Sequence, residues 1–118
     1  MEQQKNGFGQ KPGFNRQVYD ILAQIPEGKV MSYGQIGRML GHPRGARQVG
    51  WAMARCPEGL PWHRVVMANG SIACSGNAEI GEMRRAMLED EGVQFKPDGC
   101  VDMKACQWDG GLRQFGLI

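Results

Sequence analysis

The 118-residue chain has little of what builds a metal site or a disulfide framework. It carries two histidines, His42 and His63, and four cysteines, Cys56, Cys74, Cys100 and Cys106, with no Cys-x-x-Cys pair. No familiar zinc spacing results, so reduced thiols and no metal or other cofactor are expected. No apolar run approaches the roughly 20 residues that span a bilayer. The polar start MEQQKNGFGQK also lacks the apolar core of a secretory leader. These absences point to a cytoplasmic protein with no membrane partner, associated with the nucleoid if bacterial. The length suits one domain with a modest core, expected as a monomer.

Acidic residues are missing where basic ones gather. From Gly28 to Pro57 stand Lys29, Arg38, Arg44, Arg47 and Arg55 with no carboxylate, whereas residues 58–118 carry six basic and nine acidic side chains. A positive face of this kind attracts polyanions by counterion release, nucleic acid first among them. A merely solvated surface is the competing explanation.

Apolar spacing then orders the chain. Residues 1–12 suggest a flexible lead-in, 13–96 a single folded domain, and 97–118 a tail whose Trp108 packs back on it. Phe14, Val18, Ile21, Leu22 and Ile25 form a helical stripe stopped by Pro26 and Gly28. KVMSY offers a short extended piece. Ser32 with Gln35 makes a capping box for a helix that buries Ile36, Met39 and Leu40 and ends at Gly41. After the connector GHPRG, a second helix over about Arg44–Arg55 places Ala46, Val49, Gly50 and Met53 inward. Its opposite stripe presents Arg44, Arg47, Gln48, Trp51 and Arg55. Two short helices around a Gly/Pro turn, the second exposing arginine and tryptophan, fit a helix-turn-helix.

Beyond Pro57, LPWHRVV runs from loop into strand, ANG turns, and Ser71–Ala73 pairs back as a hairpin. Glu79–Glu91 forms a helix with Ile80, Met83 and Met87 inward, stopped by Gly92, and Val93 and Phe95 add a brief strand. The expected fold is therefore α+β, a winged helix-turn-helix.

The ordered set MSYGQIGRMLGHPRGARQVGWAMAR, LPWHRVV and LEDEGV resembles the DNA-binding domain of O6-alkylguanine-DNA alkyltransferases. The resemblance covers roughly Phe14–Val93. In that family a Pro-Cys-His-Arg-Val motif holds the nucleophilic cysteine, and here Trp62 stands at that place. The chain is thus most similar to the alkyltransferase-like proteins, which bind lesions without transferring the alkyl group. The N-terminal domain that many true transferases add has no counterpart in it.

The resemblance assigns further roles. His63 and Glu91 match the family's base and its orienting carboxylate, a relay left without a thiol. An indole is no nucleophile toward an alkyl carbon, and its N–H only donates. His63 and Glu91 could equally be a buried pair that satisfies itself. Trp62 would line the pocket for an extruded guanine, together with Tyr33, Met53, Val65 and Ser75, or simply fill an unused site. Arg47 would occupy the gap the base leaves when the recognition helix enters the minor groove, and Tyr33 would contact the adjacent phosphate. Arg44, Gln48, Trp51 and Arg55 complete the expected DNA face. Trp51 could pack on a deoxyribose, stack on Arg47 or Arg55, or lie under the tail. Relatives place a loop arginine over the damaged base. Here Ser75 holds that position, and no cation follows before Arg84.

The implied partner is duplex DNA containing O6-alkylguanine, with nucleotide excision repair acting downstream. Two alternatives remain at this point: an alkyltransferase that uses another cysteine, such as Cys56, and a winged-helix regulator that reads an undamaged sequence.

Overall fold

The computed structural model describes residues 13–74 and 76–111; the expected lead-in over 1–12, Ser75, and residues 112–118 lie outside them. Helix α1, Phe14–Leu22, forms on the expected stripe, with Val18, Leu22 and Ile25 fully buried. Its Tyr19 hydroxyl donates to the Ala52 carbonyl at 2.7 Å, tying α1 to the end of a later helix.

Strand β1, Met31–Ser32, leads directly into helix α2, Tyr33–Met39. The capping box forms as its sequence requires: the Ser32 hydroxyl accepts from the Gln35 amide at 3.0 Å, and the Gln35 side chain accepts from the Ser32 N–H. Gly41 then takes φ +84° and ends the helix. Met39, expected on the buried side, is exposed instead.

Helix α3 spans Ala46–Met53, shorter at both ends than expected because turns occupy 43–45 and 54–55. Its inward set is Val49, Ala52 and Met53. Ala46 is exposed and Gly50 only half-buried. The helix is thus rotated relative to the expected stripe, which turns its small residues sideways rather than inward.

Two glycines bring α2 and α3 together. A Cβ on Gly37 would lie 3.0 Å from the His42 carbonyl oxygen, and one on Gly45 would lie 2.9 Å from the same atom. Gly45→Ala is expected to cost about 2 kcal/mol, because backbone rather than a flexible side chain must give way. A thermal midpoint equal to that of the wild type would show that the helices can separate freely.

The α+β class is as expected, but the sheet is not a hairpin. Strand β2, Val65–Val66, pairs parallel with β1, Met31 opposite Val65 and Ser32 opposite Val66. Parallel neighbours need a long crossover, and here the helix-turn-helix itself is that connection. Ser71–Ala73 forms no strand; the turn after β2 is held by Met67 N–H donating to the Ser71 carbonyl at 2.9 Å.

Helix α4, Ala78–Asp90, starts on an Asn77 side-chain cap. Its fully buried residue is Leu88, while Met83 is exposed and Ile80 and Met87 are half-buried. The inward row is therefore 80, 84, 88 and 91, with two charged residues on it. Phe95 makes only an isolated bridge to Val101.

Helix α5, Met103–Cys106, is capped by Asp102. Trp108 packs against the main core, its N–H donating to the Val30 carbonyl at 2.8 Å and its carbonyl accepting from the Gln35 amide. That core joins α1, α2, α3 and the strands; a smaller one gathers Val30, Val66, Leu88, Val93 and Val101. Each fully buried valine, leucine or isoleucine contributes roughly 1.5–3 kcal/mol. Among the described residues no helix is long and apolar enough to cross a membrane.

Candidate nucleic-acid interface

α3 presents Arg47, Gln48 and Trp51 to solvent, flanked by exposed Arg44 in the turn before it and Arg55 just after it. Lys29 stands apart from this group, donating to the Ala105 carbonyl at 3.3 Å. Trp51, 63% exposed, neither stacks on Arg47 or Arg55 nor lies beneath the tail among the described residues. It forms a wall shared by two cavities.

The cavity on the α2–α4 side has a volume of about 480 Å³ and is lined by Tyr33, Ala46, Arg47, Gly50, Trp51, Met53, Ala54, Met67, Ala73 and Arg84. Four expected residues, Tyr33, Arg47, Trp51 and Met53, converge there. The lining contains two arginines and no carboxylate, so its charge favours an anionic or acceptor-rich occupant. Across Trp51 lies a wider cavity of about 730 Å³, lined by Phe14, Asn15, His42, Gln48, Ala54 and Arg55 besides Trp51. Arg44 and Gln48 border a third, smaller hollow with His42.

Two expected pocket residues do not line the 480 Å³ cavity. Val65 is 0% exposed and packs in the main core, because its pairing opposite Met31 turns it inward. Trp62, half-buried at the start of the 3-10 turn Trp62–Arg64, lies behind Arg84, whose guanidinium carbon sits 4.9 Å from the indole centroid. Arg84 also donates to the Tyr33 hydroxyl at 3.2 Å. Arg84 thus brings a cation from α4 into the cavity wall. Ser75 itself lies outside the described residues.

His63 and Glu91 do meet, His63 Nε2 lying 2.8 Å from Glu91 Oε2. The sequence reading missed the third member, Arg64. It grips the same carboxylate through Nε at 2.9 Å and a terminal nitrogen at 2.6 Å, and donates to the Ile25 carbonyl at 2.7 Å. Adjacency in PWHRVV was the available signal. Burial pushes the Glu91 carboxyl upward, but the Arg64 and His63 hydrogen bonds outweigh it and hold the pKa at about 2. The ionised carboxylate can only accept, so Nε2 donates and His63 Nδ1 is left with no partner among the described residues.

All four cysteines are free thiols. Burial pushes the Cys56 thiol up, away from thiolate, and its sulfur sits 3.6 Å from the Pro57 carbonyl oxygen.

An exposed basic helix of a helix-turn-helix, beside a cavity walled by aromatic and cationic groups and large enough to admit a nucleobase, defines a DNA-binding domain. Residues 13–93 match the family described as the 6-O-methylguanine DNA methyltransferase DNA-binding domain. The chain is 40% identical over 108 residues to the DNA base-flipping protein of Escherichia coli, covering 90% of this chain and 82% of that one. It is 46% identical over 85 residues to alkyltransferase-like protein 1 of Schizosaccharomyces pombe, covering 70% and 78%. The solved structure of S. pombe Atl1 in complex with damaged DNA containing O6-carboxymethylguanine superposes with a TM-score of 0.71 at 35% identity, covering 81% of this chain and 94% of that one. The chain belongs to the O6-methylguanine DNA methyltransferase DNA-binding-domain family.

Proposed function

We propose that this protein binds O6-alkylguanine in duplex DNA, extrudes the modified base into the cavity beside α3, and holds it without removing the alkyl group. The observation that carries this reading is the cavity itself, walled by Tyr33, Arg47, Met53 and Arg84, with an indole rather than a thiol at position 62 behind it. Ala46 and Gly50 on the cavity side of α3 allow the backbone to come close to minor-groove sugars, and Arg47 can enter the stack as the base leaves. Trp62, in the position where the family motif carries cysteine, acts through Arg84 rather than against the base directly. His63, Arg64 and Glu91 serve as a structural clasp. The names of the relatives, a base-flipping protein and one solved with damaged DNA, support the same reading. A monomer that binds but does not mend damage then marks the site for nucleotide excision repair.

Competition binding at fixed salt tests this, with O6-methylguanine duplex against the same undamaged sequence, followed by intact-protein mass. Preference for the lesion with no mass gain is expected. Indifference to the lesion would favour a reader of ordinary sequence, and a gain of one methyl group would favour a transferase.

A further inference from the structure

Trp51 divides the outer surface of α3 into two sides. On one, Arg47 and Gly50 face the 480 Å³ cavity. On the other, Gln48 and Arg55 line the 730 Å³ cavity, which closes against the start of α1 and the turn after α2. Gln48, Trp51 and Arg55 fall at i, i+3 and i+7, one line along the helix. The far wall of this second cavity is held in place. Phe14 meets the His42 ring edge-on, with centroids 5.1 Å apart. The His42 N–H donates to the Gly37 carbonyl at 2.8 Å, and the Tyr19 hydroxyl lies 3.2 Å from the Arg55 carbonyl oxygen. The lining holds Arg55 and no carboxylate. A cavity with aromatic walls and positive charge, continuous with α3, suits a sugar-phosphate chain: its sugars pack on rings and its phosphates draw cations.

We infer that this second cavity grips the strand opposite the lesion, with Trp51 as the divider between the two strands. The inference rests on the proposed entry of α3 into the minor groove. Each wall of that groove is a different strand. A helix about 10 Å across, set in a groove about 6 Å wide, presses on both walls at once. The strand that delivers its base beside Tyr33 must run along the Arg47 side. The complementary strand then runs along the Gln48 and Arg55 side, where the 730 Å³ cavity lies. There the Trp51 indole, 63% exposed, packs on a deoxyribose, and Arg55 pairs with a phosphate. This grip reads no base, so it forms on damaged and undamaged duplex alike. It steadies the second strand while the first gives up its base.

Anisotropy titrations of the full chain at one salt concentration test this on O6-methylguanine and undamaged duplexes. The lesion duplex is also made with neutral methylphosphonate linkages bordering the minor groove, on the lesion strand or on its complement. Trp51→Ala is expected to weaken damaged and undamaged duplex by the same factor, roughly tenfold. The preference for the lesion then survives, whereas Arg47→Ala erodes it. Neutralising the complement should cost the wild type roughly tenfold. Arg55→Gln should pay no further cost on that duplex, yet still lose affinity when the lesion strand is neutralised. Thermal melting confirms that both variants fold. A folded Trp51→Ala or Arg55→Gln that binds both duplexes like the wild type overturns the inference and leaves the cavity to a protein partner. So does an Arg55→Gln made insensitive to the lesion strand instead of the complement. A Trp51→Ala loss confined to the damaged duplex overturns it as well, placing the indole against the flipped base. A wild type with no preference for the lesion defeats the lesion-binding reading alone, because the coupling of Arg55 to the complement is still read on the same duplexes.

Discussion

Arg47→Ala is expected to weaken binding to an O6-alkylguanine duplex by about 2–3 kcal/mol while changing affinity for undamaged DNA far less. Extruding a base costs a few kcal/mol in lost pairing and stacking. In the proposed mode that cost is offset when a side chain fills the vacated space. Arg47 is the cation placed for this, being exposed on α3 and forming part of the cavity wall. Alanine cannot reach into the stack. Loss of a plain phosphate contact would weaken damaged and undamaged duplex by the same factor and lower the salt dependence by about one charge. Fluorescence anisotropy with both duplexes at two salt concentrations separates these outcomes. An equal, small loss on both would assign Arg47 to the phosphates.

Glu91→Gln is expected to destabilise the fold by about 2–3 kcal/mol, read as a lower denaturant midpoint at neutral pH. The carboxylate accepts from two nitrogens along one edge of the Arg64 guanidinium and from His63 Nε2, and its Oε1 lies 3.5 Å from the Gly28 amide. It thereby joins the end of α4, the 3-10 turn and the loop after α1. An amide in its place sets an N–H against one of these donors, leaving Arg64, itself largely buried, incompletely paired. The pH dependence has a definite sign. The folded-state pKa lies near 2, below the ordinary value of 4.5, so the clasp stabilises fully above that ordinary value and its contribution fades as pH falls toward 2. Stability of the wild type should therefore decline across about pH 4.5 to 2 more steeply than that of Glu91→Gln. Parallel profiles would refute the clasp.

Much of the helix-turn-helix was legible because its signals are local. Ser32 and Gln35 are three residues apart and cap the first turn of the helix that follows Ser32, and Gly41 stops it where a positive φ is needed. α4 was legible in extent but not in orientation. An apolar reading turns Met83 inward, whereas the buried row carries Arg84 and Glu91, each drawn in by a partner far away in sequence. α3 was misread for a related reason. Ala46 and Gly50 are small enough to pass for core, and they face the cavity instead. The hairpin was expected because strands separated by a tight turn usually pair with each other. β2 pairs with β1 instead, where the crossover through α2 and α3 delivers it.

Residue types and their short spacings alone established a basic, carboxylate-free segment, a capped helix pair and an indole at position 62, which excludes sulfur chemistry there. Only the folded chain decided that Arg84 lies over that indole and that Arg64 completes the clasp on Glu91. The reason lies in range: caps and helix faces arise from atoms a few residues apart, whereas Arg84 reaches Tyr33 across 51 positions and Arg64 reaches Glu91 across 27. Contacts of that kind exist only after the core has brought α2, α4 and the 3-10 turn together.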